Sequence, residues 1–400
     1  YSCQWAGIAV YSSQYNTIRR NFVFQTRQWG VELQAHDNRF TDNIVNENQW
    51  GFALIYGSSR NTFINNTVNR NEVGFWLEYN NVHNVFINNT AEENTVSGFL
   101  MQGWYDPPYF DKRPKFNLFQ NNTVRNNKYG FNIRTKCEQN NFTSNLVEGN
   151  EIGFRLNYVE KNTFSDNRVF GNDYGYHITK GSNHNQFVGE ILADSQYHIY
   201  LNETVNITFF STMLKNSSVG DVYLNNSSEL NLFNTSFSTL TIDSTSTLNI
   251  KNYLRVRVVG FFGISLPNTD IKVISSDDVF NEIAYATASY GGSDPRTDGA
   301  GYSPWFLVTN TTYKGSNTPV LRTVQVYVKK SMVNFPGIPK TVSLDEPRTL
   351  TIKGLSVVEF FILSELITTS TVTTPLYTAL VTVALVGIFG FAVYFFRYRK

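Results

Sequence analysis

From its start to about residue 250, the chain contains short runs of alternating apolar and polar residues that recur about every 22 to 23 positions. A clear unit covers residues 61–77 and reads N-x-F-x-x-N-x-V-x-x-N-x-x-G-φ-x-φ, where φ is apolar, and residues 162–178 repeat it. Apolar residues two positions apart are typical of β-strands and not of helices. Repeats of this length indicate stacked units, none of which can bury its apolar face alone.

Asparagine and glycine occupy fixed places in this repeat. The first asparagine ladder consists of Asn16, Asn38, Asn61, Asn84, Asn117, Asn140, Asn162 and Asn185; the second of Asn21, Asn43, Asn66, Asn89, Asn122, Asn145 and Asn167; the third of Asn48, Asn71, Asn94, Asn127, Asn150 and Asn172. A glycine column follows at Gly30, Gly51, Gly74, Gly98, Gly130, Gly153 and Gly175. Asparagine is expected at corners because it tolerates the left-handed conformation and its amide can bond to the amide of the next coil. Glycine marks a corner too tight for a Cβ.

Each unit is therefore expected to form three short strands and three turns. The predicted fold class is all-β, with a right-handed parallel β-helix over residues 1–252 whose coils lie ~4.8 Å apart. Serine and threonine replace asparagine at the corners after Asn185. Because the repeat is already in register near Gly7, we expect the N-terminus to be truncated within a coil.

The period ends near residue 252, and a different organisation follows. Residues 253–355 alternate in the manner of an antiparallel immunoglobulin-like β-sandwich, and residues 356–374 have the Ser/Thr-rich composition of a stalk. Residues 375–396 carry no charge and are long enough to span a membrane as a helix, and the basic tail 397–400 marks the cytoplasmic side. We therefore expect a single-pass membrane protein whose N-terminal bulk is extracellular, in the style of archaeal surface proteins.

The near-zero net charge of the chain argues against nucleic acid as a partner. The 33 Lys and Arg residues almost match the 32 Asp and Glu residues, so the net charge of +1 gives no electrostatic footprint for nucleic acid. The two cysteines, Cys3 and Cys137, are about five to six coils apart in the register, too far for a disulfide.

Sequons are consistent with an exterior location. Asn-x-Ser/Thr occurs at Asn65, Asn88, Asn121, Asn141, Asn202, Asn206, Asn216, Asn225, Asn226, Asn234 and Asn310. Since Asn65, Asn88 and Asn121 take the same place in successive coils, neighbouring glycans would crowd one another, and we expect partial occupancy.

The repeat resembles that of NosD-like proteins, a family named for a periplasmic copper-binding protein, and of the wider β-helix group of carbohydrate-binding proteins and sugar hydrolases. The resemblance covers residues 1 to about 250 and implies the fold. It implies little about activity, because the matching residues are all corner or core positions. Function is therefore expected to lie in the outward positions.

The outward positions after each glycine form a candidate binding face. One column is Glu32, Ala53, Trp76, Leu100, Asn132, Arg155, His177 and Tyr200; the next is Gln34, Ile55, Glu78, Gln102, Arg134, Asn157 and Thr179. An insertion between Met101 and Asn117 adds aromatic and acidic residues beside this face. Aromatic rings stack on sugars while amides and guanidiniums bond to hydroxyls. The predicted ligand-binding residues are Trp76, Glu78, Trp104, Tyr105, Tyr109, Arg134 and Arg155, with a surface glycan or a protein as partner.

Three alternatives remain open. In the first, the face only stiffens an extracellular scaffold. A polysaccharide lyase or glycosidase would need paired carboxylates, or a calcium cluster with a basic residue; the candidates are Glu78, Asp106, Asp111, Arg134 and Arg155. Copper would need imidazole ligands, and the candidates are His177, His184 and His198. Apart from copper or calcium in these alternatives, we expect no cofactor.

Overall fold

A computed structural model describes residues 5–103, 112–278, 280–356 and 359. The chain divides into two compact units, one of residues 1–252 with 309–322 and the other of residues 253–308 with those from 323 onwards. The repeats of the first unit form parallel sheets, to which successive coils contribute strands in turn, and residues 309–322 add an antiparallel strand pair. This arrangement is the predicted parallel β-helix.

Sheet 1 of the first unit contains 11 parallel strands in consecutive coils. They are Ala6–Tyr11, Trp29–Gln34, Trp50–Leu54, Val73–Glu78, Ser97–Gln102, Tyr129–Arg134, Ile152–Asn157, Tyr174–Thr179, Tyr197–Asn202, Gly220–Asn225 and Leu240–Ile242. The insertion after Met101 leaves the register intact, since Ser97–Gln102 still pairs directly with Tyr129–Arg134.

Sheets 2 and 3 complete each coil. Sheet 2 runs through Thr17–Arg19, Arg39–Thr41, Thr62–Ile64, Val85–Ile87, Leu118–Gln120, Asn141–Thr143, Thr163–Ser165, Gln186–Val188, Ile207–Phe210, Glu229–Phe233, Thr247–Val259, Phe306–Lys314 and Val320–Leu321. Sheet 3 contains Phe22–Phe24 and Ile44–Asn46, then Thr90–Glu92, Thr123–Arg125, Leu146–Glu148, Arg168–Phe170, Ile191–Ala193 and Met213–Lys215. Isolated bridges through Thr67 connect its two parts.

The asparagine ladders bond as predicted. Asn66 Oδ1 accepts hydrogen bonds from the backbone N–H of Asn43 at 3.1 Å and from its Nδ2 at 2.9 Å. Asn66 in turn donates from Nδ2 to Asn89 Oδ1 at 2.9 Å and to the Phe40 carbonyl at 3.1 Å. Each buried corner therefore finds partners for polar groups that would otherwise be costly to bury.

The conformational reason given for these asparagines is wrong. The ladder asparagines do not adopt positive φ; the residue immediately before each of them does, as at Asn65 (φ 55°), Asn88 (φ 54°) and Asn121 (φ 53°). Ladder positions therefore need the amide for its hydrogen bonds, and the preceding exposed position absorbs the left-handed turn.

Two interlocked columns of aromatic rings fill the interior. Within a column the rings stack, as for Phe63 and Phe86 with centroids 4.6 Å apart and planes 4° apart. Between columns they meet edge to face, as for Phe75 and Phe86 at 5.5 Å and 81°. Both geometries are favourable for aromatic pairs, and these rings are fully buried.

The second ladder ends on an acid. Glu190 takes the place of asparagine, and its Oε1 accepts from Asn167 Nδ2 at 3.0 Å, while the Tyr176 hydroxyl donates to its Oε2. Burial raises the pKa of Glu190 to about 8, and burial beside Glu190 raises the pKa of Tyr176 well above its ordinary value. Tyr176 stands where the preceding coils have phenylalanine, so the two replacements are matched.

The glycine column ends on a second polar pair. His198 follows Gly175 in the register and lies fully buried, with Nδ1 3.0 Å from Asp221 Oδ1. Asp221 Oδ2 accepts from the Ser238 hydroxyl at 2.7 Å. Burial alone raises the pKa of Asp221, but the hydrogen bonds from His198 and Ser238 outweigh it and hold that pKa below its ordinary range.

The second unit contains an antiparallel sheet of four strands in the order Asn281–Ala286, Asp270–Ser276, Thr323–Lys329 and Lys340–Val342. Arg348–Lys353 pairs in parallel with residues 254–259, Val333–Asn334 pairs with Leu355–Ser356, and a short 3-10 helix covers Ala288–Tyr290. The immunoglobulin-like assignment stays a prediction. No helix within the described ranges is long and apolar enough to cross a membrane, and the predicted span 375–396 lies outside them.

We predict that Asn140→Ala lowers the free energy of unfolding by about 1–3 kcal/mol, because it removes the acceptor of the Asn117 backbone N–H and Nδ2. Asn141→Ala, one residue away and exposed, should change it by less than about 0.5 kcal/mol. Thermal unfolding of the unglycosylated protein measures both, and equal shifts would contradict the assigned role of the ladder.

We also predict that stability depends on the protonation of Glu190. With its pKa raised to about 8, the folded chain keeps a proton that the unfolded chain releases above pH 4.5. This stabilisation is fully present below pH 4.5 and is lost as the pH rises through 8. Glu190→Gln should flatten the decline in unfolding midpoint over this window, whereas the exposed Glu148→Gln should leave it unchanged. A decline that persists in Glu190→Gln would refute the assignment.

Candidate functional site

The outer surface of sheet 1, called here the sheet-1 face, presents the columns predicted from the sequence. Strand pairing aligns Glu32, Ala53, Trp76, Leu100, Asn132, Arg155, His177 and Tyr200 in one column and extends it to Tyr223. The next column aligns Glu78, Gln102, Arg134, Asn157 and Thr179.

The prediction that these residues point freely to solvent is wrong for part of the first column. Glu32 is 6% exposed, Ala53 0%, Leu100 6% and Asn132 2%. Ala53 lies in register between Glu32 and Trp76, and its methyl group is far shorter than the side chains around it. Glu32 and Asn132 are therefore largely removed from solvent, whereas Trp76, Arg155, His177 and Tyr200 stay partly exposed.

A tryptophan stack forms one end of the sheet-1 face. The rings of Trp29 and Trp50 lie 6.1 Å apart, and those of Trp50 and Trp76 stack at 5.3 Å with 22° between their planes. The Nε1 atoms of Trp29 and Trp76 are buried and have no hydrogen-bond partner within the described part of the chain. Both indole N–H groups are therefore unpaired within the described residues.

Two guanidinium groups occupy the middle of the face. Arg134 donates from Nη2 to Gln102 Oε1 at 2.7 Å, and Arg155 lies over the Tyr129 ring, 4.9 Å from its centroid. Neither forms a salt bridge with any described residue, and Arg134 Nε is buried without a partner there. Burial and the neighbouring Arg155 lower the pKa of Arg134. Together the two groups make a positive centre that forms no salt bridge with the described residues.

A tyrosine cluster forms the other end. Tyr200 and Tyr223 stack at 4.7 Å, Tyr174 and Tyr197 stack at 5.0 Å, and the His177 ring lies 4.9 Å from that of Tyr200. Burial, and then the charge of Arg155, lower the pKa of His177 to about 4. His177 is therefore neutral at physiological pH, and its buried Nδ1 has no partner among the described residues.

Sequence reasoning missed most of this cluster. Tyr174, Tyr197 and Tyr223 were not among the predicted site residues, because the candidate columns started after the glycine and stopped at Tyr200. The repeat could have identified two of them. Tyr174 and Tyr197 occupy the position just before the glycine column, where earlier coils have Trp29 and Trp50.

The carboxylates of the face are sparse. Glu78 is in register with Gln102 and Arg134. Glu32 lies two coils from it and accepts a hydrogen bond from the Tyr11 hydroxyl, whose pKa is raised to about 12 by burial and by this bond. The remaining predicted residues of the insertion, Trp104, Tyr105, Asp106, Tyr109 and Asp111, lie outside the described residues.

The three candidate copper ligands do not share a site. His177 and His198 are on adjacent coils but two positions apart in register, and the His198 side chain is bonded to Asp221. His184 occupies a left-handed corner with φ 58°. Across the described ranges, no group of three or more His, Cys, Asp or Glu side chains is arranged to hold a metal ion.

Most of the sequons lie at accessible positions. The exposed asparagines are Asn65, Asn88, Asn121, Asn141, Asn206, Asn216, Asn226 and Asn234, and the half-buried ones are Asn202, Asn225 and Asn310. Asn65, Asn88 and Asn121 line one corner of successive coils, as expected from the repeat. Their glycosylation stays a prediction.

Two family models match parts of the chain. Residues 1–135 match a model described as right handed beta helix region, and residues 109–225 match one described as periplasmic copper-binding protein (NosD). No curated protein matches the chain.

Solved structures are similar at low identity. The A-module of a mannuronan C-5 epimerase from Azotobacter vinelandii matches with a TM-score of 0.47 and 16% identity over 57% of this chain and 64% of that one, which is less than two thirds of the module. A periplasmic alginate epimerase gives 0.39 and 13% over 61% and 75%. A surface adhesin of Streptococcus pneumoniae gives 0.32 and 12% over 71% and 89%.

We predict that His177 stays neutral well below pH 6, because burial and Arg155 hold its pKa at about 4. Histidine-selective isotope labelling should show one imidazole, identified by its loss in His177→Gln, that does not titrate between pH 7 and 5. A midpoint near the ordinary 6.5 would show that solvent reaches the ring freely.

Proposed function

We propose that this right-handed parallel β-helix protein is an exterior, membrane-anchored binding protein whose sheet-1 face recognises an anionic saccharide. The observation that carries the proposal is the pair Arg134 and Arg155, two partly buried guanidinium groups without an acidic partner among the described residues. Uncompensated buried charge is costly, and a carboxylate or sulfate of a ligand would compensate it.

The aromatic residues on either side extend this centre into a long binding surface. Trp50 and Trp76 stack on one side of it along the helix axis, and Tyr200 and Tyr223 on the other. Coils repeat every ~4.8 Å, so the face presents a row of ring surfaces and polar groups suited to a chain of sugar units. Arginine is well suited to the anionic groups because its planar fork can bind a carboxylate through two parallel bonds.

Unused hydrogen-bond donors favour binding over a purely stiffening role. Trp76 Nε1 and Arg134 Nε are buried without described partners, although native proteins leave few such atoms unpaired. A face that only stiffened the sheet would not need donors of this kind. A saccharide that displaced the side chains covering these atoms would offer them hydroxyl or carboxylate acceptors.

Catalysis has less support than binding. Glycosidases use two carboxylates flanking the scissile bond. On the described part of the face, Glu32 and Glu78 lie two coils apart, and the Glu32 carboxylate is bonded to the Tyr11 hydroxyl. We therefore assign Glu78 and the two arginines to ligand recognition.

The exterior location rests on two separate features. The family model that matches residues 109–225 describes a periplasmic protein, and residues 375–396 form an uncharged segment followed by a basic tail. We propose that this segment anchors the chain, with the preceding Ser/Thr-rich residues 356–374 as a spacer.

We predict that the full chain binds oligosaccharides of uronic acids or sulfated sugars more tightly than neutral ones on a glycan array. Arg155→Gln should weaken binding at least tenfold by removing a charge-assisted contact, and Trp76→Ala should weaken it by loss of stacking. Arg168→Gln is the matched control, because Arg168 also lies over an aromatic ring, that of Phe170, but on sheet 3.

The outcomes separate the alternatives. Binding that is insensitive to Arg155→Gln, or equal for neutral and anionic sugars, would contradict the proposed site. New reducing ends or unsaturated products, abolished by Glu78→Gln, would instead show an enzyme.

A further inference from the structure

The second unit exposes large apolar side chains on a short turn. Gly260 follows the strand Thr247–Val259, and the chain then reverses through Phe261, Phe262 and Gly263 to Ile264. Phe261 is 52% exposed, Phe262 46% and Ile264 64%. Contiguous exposed apolar side chains can mark a site of interaction with a protein or a membrane.

Hydrogen bonds hold the backbone of this turn in a defined conformation. Gly260 N–H donates to the Ile264 carbonyl at 2.7 Å, and Gly263, at φ 83°, donates back to the Gly260 carbonyl at 3.0 Å. Glu359 Oε1 accepts from the Phe262 backbone N–H at 3.2 Å. A Cβ on Gly260 would displace that carboxylate from its present position. The backbone is thus fixed while the apolar side chains face outwards.

A second exposed apolar residue, Met332, lies at the same end of the unit. Glu359 Oε2 accepts from Ser356 N–H at 3.1 Å, and Ser356 pairs with Val333, next to Met332, which is 80% exposed. The contacts therefore connect the Phe261–Ile264 turn to the Met332 turn through Glu359. We call these two turns together the apolar tip.

Two exposed lysines lie next to the turns of the apolar tip. Lys353 is exposed and pairs with Val259, the residue before the turn. Lys329 is exposed beside the Met332 turn, and Lys330 Nζ donates to the Pro267 carbonyl. Aromatic and aliphatic side chains with lysines behind them are typical of surfaces that enter the interfacial layer of a bilayer, where the lysine ammonium groups stay at headgroup level.

The course of the chain supports a bilayer as the occupant. Glu359 is the last described residue and is bonded to the apolar tip, and the uncharged segment 375–396 begins 16 residues later (375 − 359). A tether of this length reaches at most about 55 Å even when fully extended. If segment 375–396 anchors the chain, the tip stays at high effective concentration next to the membrane, so weak insertion suffices.

We propose that the apolar tip, formed by Phe261, Phe262, Ile264 and Met332, inserts into the interfacial layer of the membrane that carries the anchor. The unit then rests on the lipid surface at a second point of attachment. This inference rests on the proposed anchor and is independent of ligand binding at the sheet-1 face.

Site-specific labelling tests the proposal. In full-length protein carrying Cys3→Ser, the Cys137 thiol is buried with its pKa raised to about 12, so an added cysteine is the reactive one. Ile264→Cys carries an environment-sensitive fluorophore, and the protein is reconstituted into phosphatidylcholine and phosphatidylglycerol vesicles. Ile283→Cys is the matched control: Ile283 is 59% exposed, in the strand Asn281–Ala286 of the same unit, and pairs with Ile274 away from the tip.

We expect emission from position 264 to shift to the blue and to be quenched several-fold more strongly by nitroxide lipids than emission from position 283. Phe261→Ser with Phe262→Ser should reduce this quenching without lowering the thermal unfolding midpoint. Equal quenching at both positions would overturn the proposal, as would a chain that fails to float with vesicles. Protection of position 264 from iodide without lipid quenching would instead indicate a protein partner.

Discussion

The hydrogen bond between side-chain amides of successive coils is the interaction on which the rest of the molecule depends. At each corner the backbone N–H of the ladder asparagine bonds to a side-chain amide instead of a backbone carbonyl, because a buried corner cannot use water. Asn140 and its counterparts solve this by accepting two donors from the preceding coil and donating to the next one. Because the amide oxygen accepts from the equivalent asparagine of the preceding coil, the ladder also sets the register. The stacked phenylalanines and the columns of the sheet-1 face follow from that register.

The sheet-1 face shows how a structural repeat can produce a surface for recognition. Strict register brings equivalent positions to within one coil spacing, so replacing one residue per coil changes a continuous strip. On this face the strip passes from indoles at Trp50 and Trp76, through Arg134 and Arg155, to phenol rings at Tyr200 and Tyr223. The backbone and core remain the same throughout. Stability and recognition are therefore assigned to different positions of the same repeat.

Much of the fold could be predicted from the sequence, since periodic Asn, Phe and Gly report directly on corners and core. The exposure of the face could not. Alternation of apolar and polar residues shows which side of a strand a residue occupies. The burial of Ala53 and Asn132, however, depends on how far the side chains of the neighbouring columns extend over them. The sequence predicts the amide hydrogen bonds of the ladder asparagines correctly, but the left-handed conformation belongs to the residue before each of them. Glu190 was overlooked, although it stands at a ladder position; only the structure joins it to Tyr176.

The ladders also have a direction. Along each ladder the amide oxygen accepts from the preceding coil, while the backbone N–H and one Nδ2 hydrogen donate to the following coil, so the two ends of a ladder are unlike. The Nδ2 group also donates to a backbone carbonyl of the preceding coil, as from Asn66 to Phe40. The last asparagine of a row presents donors that call for an acceptor. Glu190 Oε1 meets Asn167, Ser195 Oγ meets the N–H of Asn172, and hydroxyl oxygens continue this role at Thr235 and Ser246. The change from asparagine to glutamate, serine and threonine at the corners thus follows from the direction of the ladder. A corner side chain that only has to accept a hydrogen bond from the preceding coil does not need to be asparagine.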